Sequence, residues 1–313
     1  MHFPVRSALI VATLAALLCG CDSMGPSLKD SAYAMERAHA GLARKEITLA
    51  DGTHIVYLEG GSGEPLVLLH GFGADKDNFT RVSHWLTPHY RVIVPDLVGF
   101  GESSHLRDAD YHYAAQAGRV RAFVQALGLA RVDLGGNSMG GGIAMSYAAQ
   151  FPQEVHSLWL VDCAGIAEAP PSELAKIVAA TGQNPLMITK ESDFPAFLKF
   201  VMSDPPYIPG PVMDTLARER IANQDLERKV FAQIATDSVS DAIRGLPTPT
   251  LIVWGDEDRV LSVDTVPMLK ALLPDAQSIV MPHVGHAPMI ERPQQAAEDY
   301  LRFRAQVGTG VAR

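Results

Sequence analysis

The chain has 313 residues, 47% of them hydrophobic and 19% charged, with a formal net charge of −9. That length suits one catalytic core enlarged by an insertion better than two full domains. The acidic balance speaks against nucleic acid as a partner, because phosphate backbones demand basic patches.

In chain order, the N-terminus stands apart. His2 and Arg6 precede an apolar run from Ala8 to Leu18, broken only by Thr13. The run falls short of the roughly 20 residues that cross a bilayer, and its basic flank suits an export signal. It ends in Leu18-Cys19-Gly20-Cys21, which resembles a bacterial lipobox. Residues 1–20 are therefore expected to be a lipoprotein signal peptide, with Cys21 lipidated as the new N-terminus. A plain cleaved signal or an uncleaved anchor are the alternatives. Asp22 resembles an inner-membrane retention signal, so the expected location is the periplasmic face of that membrane. Residues 21–43 read as a polar, alanine-rich tether in which Ser31 to Ala43 can form an amphipathic helix.

Strand signals follow. Lys45 to Leu49 and Thr53 to Leu58 flank Asp51-Gly52, a hairpin-turn dipeptide. Pro65–Leu69, Arg91–Val94, Val132–Leu134, Leu158–Val161, Leu251–Trp254 and Ser278–Val280 are apolar runs of the kind buried on both faces of a parallel sheet. Helical stretches alternate with them: Asn78–Leu86, Tyr113–Leu127, Gly141–Ala149, Val263–Leu273 and Pro293–Arg304. The alternation predicts an α/β fold with a mostly parallel central sheet flanked by helices, whose ligands bind at the carboxyl ends of the strands. One interval breaks the rhythm. Residues 164–246 far exceed the ~4–6 residues of an ordinary connection. They read as helices at Ser172–Ala180, Ala196–Met202 and Pro211–Ile234, a helical cap inserted between core segments 44–163 and 247–313. Its apolar residues Leu186, Met187, Phe194, Phe197, Phe200 and Met202 suit a lipid-like chain or simple packing.

Chemistry concentrates at strand ends. Gly136-Asn137-Ser138-Met139-Gly140 leaves one strand and opens a helix. Such a sharp turn strains its central residue, and flanking glycines remove side chains that would clash. Ser138 is thus the candidate nucleophile, set at a helix N-terminus that favours developing negative charge. A dinucleotide fingerprint does not fit Gly135-Gly136 and Gly140. A serine hydroxyl needs a base. Of 11 histidines, His286 sits in a loop after the final strand and follows a glycine; His283, nearer the strand, reads as structural. For the acid, Asp256, Glu257 and Asp258 all satisfy the order Ser…acid…His, and Asp162 is a rival at an earlier strand end. Gly71 to Gly73 form a turn that can present the Phe72 N–H, which with the Met139 N–H would make an oxyanion hole. His70 reads as a structural partner, Asp96 to Ser103 as a tight structural loop, and the lone Cys163 as a small core residue. No H-E-x-x-H spacing or phosphate loop occurs, so neither metal nor cofactor is expected.

His70-Gly71-Phe72-Gly73, Asp96 to Ser103, Gly136 to Gly140, Gly255-x-x-Asp258 and Gly285-His286, in that order, resemble the α/β-hydrolase superfamily in its lipase/esterase branch. Gly71 to Phe79, Trp254-Gly255 and Glu291-Arg292-Pro293 are similar to monoacylglycerol lipases of animal membranes and to cold-adapted bacterial lipases. The resemblance implies an α/β-hydrolase fold, ester hydrolysis and a triad of Ser138, Asp258 and His286, Asp258 being the third residue after its glycine. The implied partners are a small ester or lipid substrate and, through Cys21, a membrane; oligomeric state stays open. Two other readings remain. Gly-Asn-Ser-Met-Gly-Gly also occurs in C–C hydrolases of ring-cleavage products, although those carry a tryptophan after the catalytic histidine where Ala287 stands here. A non-catalytic binding protein on the same fold would normally lack a triad member. Dehalogenases and epoxide hydrolases use aspartate in place of Ser138.

Overall fold

The computed structural model describes Pro26 and residues 28–308; Cys21 and the export segment lie outside the described residues. Helix α1 spans residues 28–39. It starts earlier than the expected amphipathic stretch and stops sooner, because Leu42 and Ala43 already pair with Gly60 and Glu59 in the first sheet ladder. Strands β1 (Leu42–Thr48) and β2 (His54–Gly60) form the hairpin at Asp51-Gly52. There Thr53 N–H donates to Asp51 Oδ1 at 2.9 Å, and Gly52 takes a φ of +86°.

The core continues with β3 (Pro65–Leu69), α2 (Thr80–Leu86), β4 (Arg91–Pro95), α3 (Tyr113–Ala126), β5 (Val132–Asn137), α4 (Met139–Gln150) and β6 (Val155–Val161). The insertion holds α5 (Glu173–Thr181), α6 (Phe194–Val201), α7 (Gly210–Ile234) and α8 (Ser240–Ile243). The chain then returns through β7 (Thr250–Gly255), α9 (Thr265–Leu272), β8 (Ala276–Met281), α10 (Pro288–Glu291) and α11 (Pro293–Gly308). One eight-stranded sheet results, in the order β1-β2-β4-β3-β5-β6-β7-β8. Strand β2 runs antiparallel to both neighbours, and every ladder from β4 to β8 is parallel.

The apolar runs alternate between faces, as strand side chains must. Val67, Leu69, Leu134, Leu160 and Ile252 enter a core against α3, α4 and α9, while Leu66, Leu68, Trp159, Val161 and Val253 enter another against α2 and α11. Both faces are therefore dry, which is why these strands read as continuous apolar runs. The Asp96 loop is structural. Buried Asp96 accepts from the N–H of Lys76 (2.7 Å) and of Glu102 (2.8 Å) and pairs with Lys76 Nζ at 2.9 Å. Ser103 Oγ donates to Asp96 O and accepts from Val56 N, locking the loop to β2.

Candidate active site

Strand β5 lies in the middle of the parallel segment, so its carboxyl end opens on the crevice where such sheets bind ligands. Ser138 occupies the turn between β5 and α4 with φ 53° and ψ −119°. A non-glycine residue holds such a conformation only when its surroundings fix it. The fixing bonds are visible: Ser138 N–H donates to the carbonyls of Val161 and Asp162, and Ser138 O accepts from Gly141, Gly142 and Ala164. The flanking glycines are required by contact. A Cβ on Gly136 would lie 2.3 Å from the Gly140 carbonyl, and one on Gly140 would lie 2.1 Å from Leu69 O. Helix α4 starts at Met139, so the Met139 N–H lies in the first turn, where N–H groups have no intrahelical acceptor.

His286 and Asp258 meet across the ends of β7 and β8. Nδ1 of His286 lies 2.8 Å from Asp258 Oδ2. Ionised Asp258 only accepts, so Nδ1 carries the proton and Nε2 is left as the basic nitrogen. Oδ1 of Asp258 accepts from the N–H groups of Val260 (2.8 Å) and Leu261 (3.0 Å). Two glycines allow the approach. A Cβ on Gly255 would lie 2.1 Å from Gly285 O, and one on Gly285 would lie 2.7 Å from Ser203 N and Val201 O. Gly285 serves close packing against the end of α6, to which His286 N–H is also bonded at 2.8 Å through Val201 O.

The rejected candidates have other partners. Asp256 accepts from His283 N–H, and exposed His283 sits 3.1 Å from Glu257. Asp162 accepts from Gly255 N–H at 2.9 Å. The three side chains Asp162, Asp258 and His286 offer ligand atoms within 4.8 Å of one another. His286 Nδ1 and both Asp258 oxygens are already engaged in hydrogen bonds, so the cluster is built for protons. Buried His70 accepts from Leu97 N–H at Nε2 and donates from Nδ1 to Gly71 O. Burial holds its pKa down, which keeps it neutral as a strut beneath the Gly71 turn. Burial pushes the Cys163 thiol far up, leaving it without thiolate character.

Ser138, His286, Phe72 and Gly73 line one cavity of about 1010 Å³. Gly71 brings its Cα so close that a Cβ there would sit 3.2 Å from Ser138 Cβ, which puts the Phe72 turn beside the nucleophile. Of the apolar cap residues singled out in the sequence, Leu186, Phe194, Phe197 and Met202 line the cavity, whereas Phe200 stacks under Arg259 at 4.5 Å. Three features escaped sequence reasoning. Asn137 Nδ2 donates to Val161 O (3.2 Å) and His286 O (3.0 Å), tying the nucleophile strand to the histidine loop. Glu291 accepts from Gly285, Ser203 and Asp204 N–H groups. Arg220 and Glu227, on one face of α7, form a buried two-point pair at 2.7 and 2.8 Å. A polar residue in the middle of an elbow motif, or an acid and a base seven positions apart on a cap helix, were the available signals.

Comparison with known proteins agrees with this fold. Residues 64–293 match the family model for the alpha/beta hydrolase fold. Lipase 1 of Psychrobacter immobilis is 46% identical over 277 residues, covering 86% of each chain. The monoacylglycerol lipase abhd6-B of Xenopus laevis is 29% identical over 250 residues, covering 76% of this chain and 74% of its own. A bacterial membrane phospholipase A of known structure superposes with a TM-score of 0.90 at 38% identity, covering 97% of this chain and 99% of its own.

Proposed function

The chain belongs to the alpha/beta-hydrolase family and is a carboxylic ester hydrolase of the lipase/esterase kind, and on that premise we propose that it cleaves membrane-derived acylglycerols through Ser138, His286 and Asp258. The observation that carries this is the Asp258–His286 hydrogen bond at the strand ends, with His286 and the strained Ser138 lining one cavity. Ser138 Oγ attacks the acyl carbon as its proton passes to His286 Nε2. The Phe72 and Met139 N–H groups receive the oxyanion, and His286 returns the proton to the leaving alcohol. Water, deprotonated by His286, then releases the acid and restores Ser138.

The apolar wall of Leu186, Phe194, Phe197 and Met202 suits an acyl chain. The printed activities of the relatives, lipase and monoacylglycerol lipase, support an acylglycerol head.

Lipidation at Cys21 and residence on the periplasmic face of the inner membrane belong to the same proposal. No helix among the described residues is long and apolar enough to cross a membrane. Helix α1 lies at the cavity, with Tyr33 and Arg37 in its lining, and is pinned there by Arg37–Asp77 and Lys29–Glu219. Cys21 precedes Leu28 by seven residues, a reach of about 25 Å. A lipid anchor would thus hold the cavity near its substrate's source. The test pairs the parent with Ser138→Ala on p-nitrophenyl esters of graded chain length; equal activity of the two would end the proposal. Cys21→Ser should release the protein from membranes, and unchanged attachment would refute lipidation.

A further inference from the structure

Asp162 is fully buried one residue past β6, with a φ of +42°. Its backbone serves the nucleophile: its carbonyl accepts from Ser138 N–H at 3.1 Å, and its own N–H donates to Val253 O at 2.9 Å. Its side chain serves the acid loop. Oδ1 accepts from Gly255 N–H, while Oδ2 is buried and, among the described residues, has no N–H or O–H donor directed at it. A buried carboxylate oxygen without a donor is costly. The chemistry around it is acidic: Asp258 lies within the same 4.8 Å cluster, and Glu291 adds its charge from α10.

We propose that Asp162 and Asp258 form a dyad holding one proton, with Asp162 the neutral acid whose Oδ2–H donates to the Asp258 carboxylate. The donor count decides which partner keeps the proton. Asp258 has three N–H donors, from Val260, Leu261 and His286, whereas Asp162 has one. Like charges at this separation cannot both ionise cheaply in a dry site. Burial, reinforced by the Asp258 charge, accordingly pushes the Asp162 carboxyl well above the usual range. The charged or titratable groups facing the dyad are His286, Glu291 and the Cys163 thiol, which burial keeps protonated.

Asp162 is thus a positioning residue that acts through Asp258, and the inference rests on His286 being the base. Its O–H fills the remaining lone pair of Asp258 and fixes the carboxylate on Nδ1–H. It also lowers the proton affinity of Asp258, so the proton that His286 takes from Ser138 leaves Nδ1–H in place. No proton leaves Asp162 during turnover. The same residue joins the nucleophile turn to the acid loop, coupling their spacing.

The test uses Asp162→Asn and Asp162→Ala in the full-length protein. Asparagine offers one N–H to Asp258 and one oxygen to Gly255, neutral for neutral. Its kcat should stay within about 3-fold of the parent, with the acid limb of kcat/KM unmoved, whereas Asp162→Ala should lose ~10-fold or more in kcat with KM for a short ester retained. If Asp162 were ionised, Asp162→Asn would remove a negative charge near His286 and move the acid limb down by about one unit, overturning the dyad. Infrared difference spectra of parent minus Asp162→Asn at pH 8 give a readout independent of turnover. A protonated-carboxyl stretch present only in the parent is expected, and its absence overturns the proposal. Loss of activity in Ser138→Ala with that band intact separates the dyad from the catalytic assignment.

Discussion

Replacing Glu227 with alanine should cost more stability than any surface change in the molecule. Glu227 and Arg220 side chains are 3% and 9% exposed, and the guanidinium gives Nε and Nη2 to the two carboxylate oxygens. After Glu227→Ala, Arg220 keeps, among the described residues, only the Leu186 carbonyl at 2.8 Å and the ring faces of Phe72 and Phe197, and its Nη1 already lacks a partner there. Stranding a buried charge in this way costs about 3–5 kcal/mol, a large part of the ~5–15 kcal/mol that holds a domain folded. At about 2–4 °C of Tm per kcal/mol, the melting point should fall by on the order of 10 °C. The change should also reach the reaction. The guanidinium lies directly over Gly73, where an added Cβ would meet it at 2.4 Å, so its displacement loosens the Phe72 turn. The check is calorimetric melting with short-ester kinetics on Glu227→Ala and on the double variant Arg220→Met/Glu227→Leu. The double variant removes both charges and should recover most of the lost Tm. A Glu227→Ala Tm within 2 °C of the parent, or a double variant no better than the single, would refute the reasoning.

Burial, with the Asp77 charge beside it, pushes the Asp75 carboxyl from 3.8 up to about 7. The folded chain therefore holds a proton there that the unfolded chain releases, a contribution present below the unfolded value and lost as pH rises through about 7. Asp75→Asn keeps the acceptor for Asp77 N–H. It should match the parent's Tm near pH 4 and exceed it at pH 8; a lower Tm at pH 8 would contradict this. Gly140→Ala places a Cβ 2.1 Å from Leu69 O, so the nucleophile turn must shift. The expected outcome is loss of ester hydrolysis by ~10²-fold or more, measured on purified, folded protein by steady-state kinetics. Asn137→Ala removes the bonds to Val161 O and His286 O, and about 10-fold lower kcat with little change in KM is expected.

The sheet was legible because both of its faces are dry: strands such as Leu66–Leu69 and Leu251–Trp254 have no reason to carry polar residues. Strand ends were harder to read. Strand β5 runs on through Gly135-Gly136-Asn137, whose composition suggests a turn, because the crowded sheet centre excludes side chains; a Cβ on Gly135 would meet Leu68 at 2.8 Å. Helix α4 starts at Met139, two residues before the sequence suggests, because Cys163 and Tyr113 pack where Gly141 and Gly142 lack side chains. The candidate nucleophile and base could be read from spacing and chain order, since each follows a strand, whereas chain order left four acids open and only the family resemblance singled out Asp258. What supports them could not. The partners of Asn137, and the Ser203 and Asp204 donors to Glu291, lie far away in the chain or on the cap, and only packing brings them together.

The central claim is that Ser138 forms the acyl-enzyme with His286 as its base. The most direct measurement maps, by peptide mass spectrometry, the residue that an alkyl fluorophosphonate labels. One adduct on Ser138 is expected, absent from Ser138→Ala and slowed by ~10³-fold or more in His286→Ala. An adduct on any other residue, with ester hydrolysis persisting in Ser138→Ala, would contradict the account.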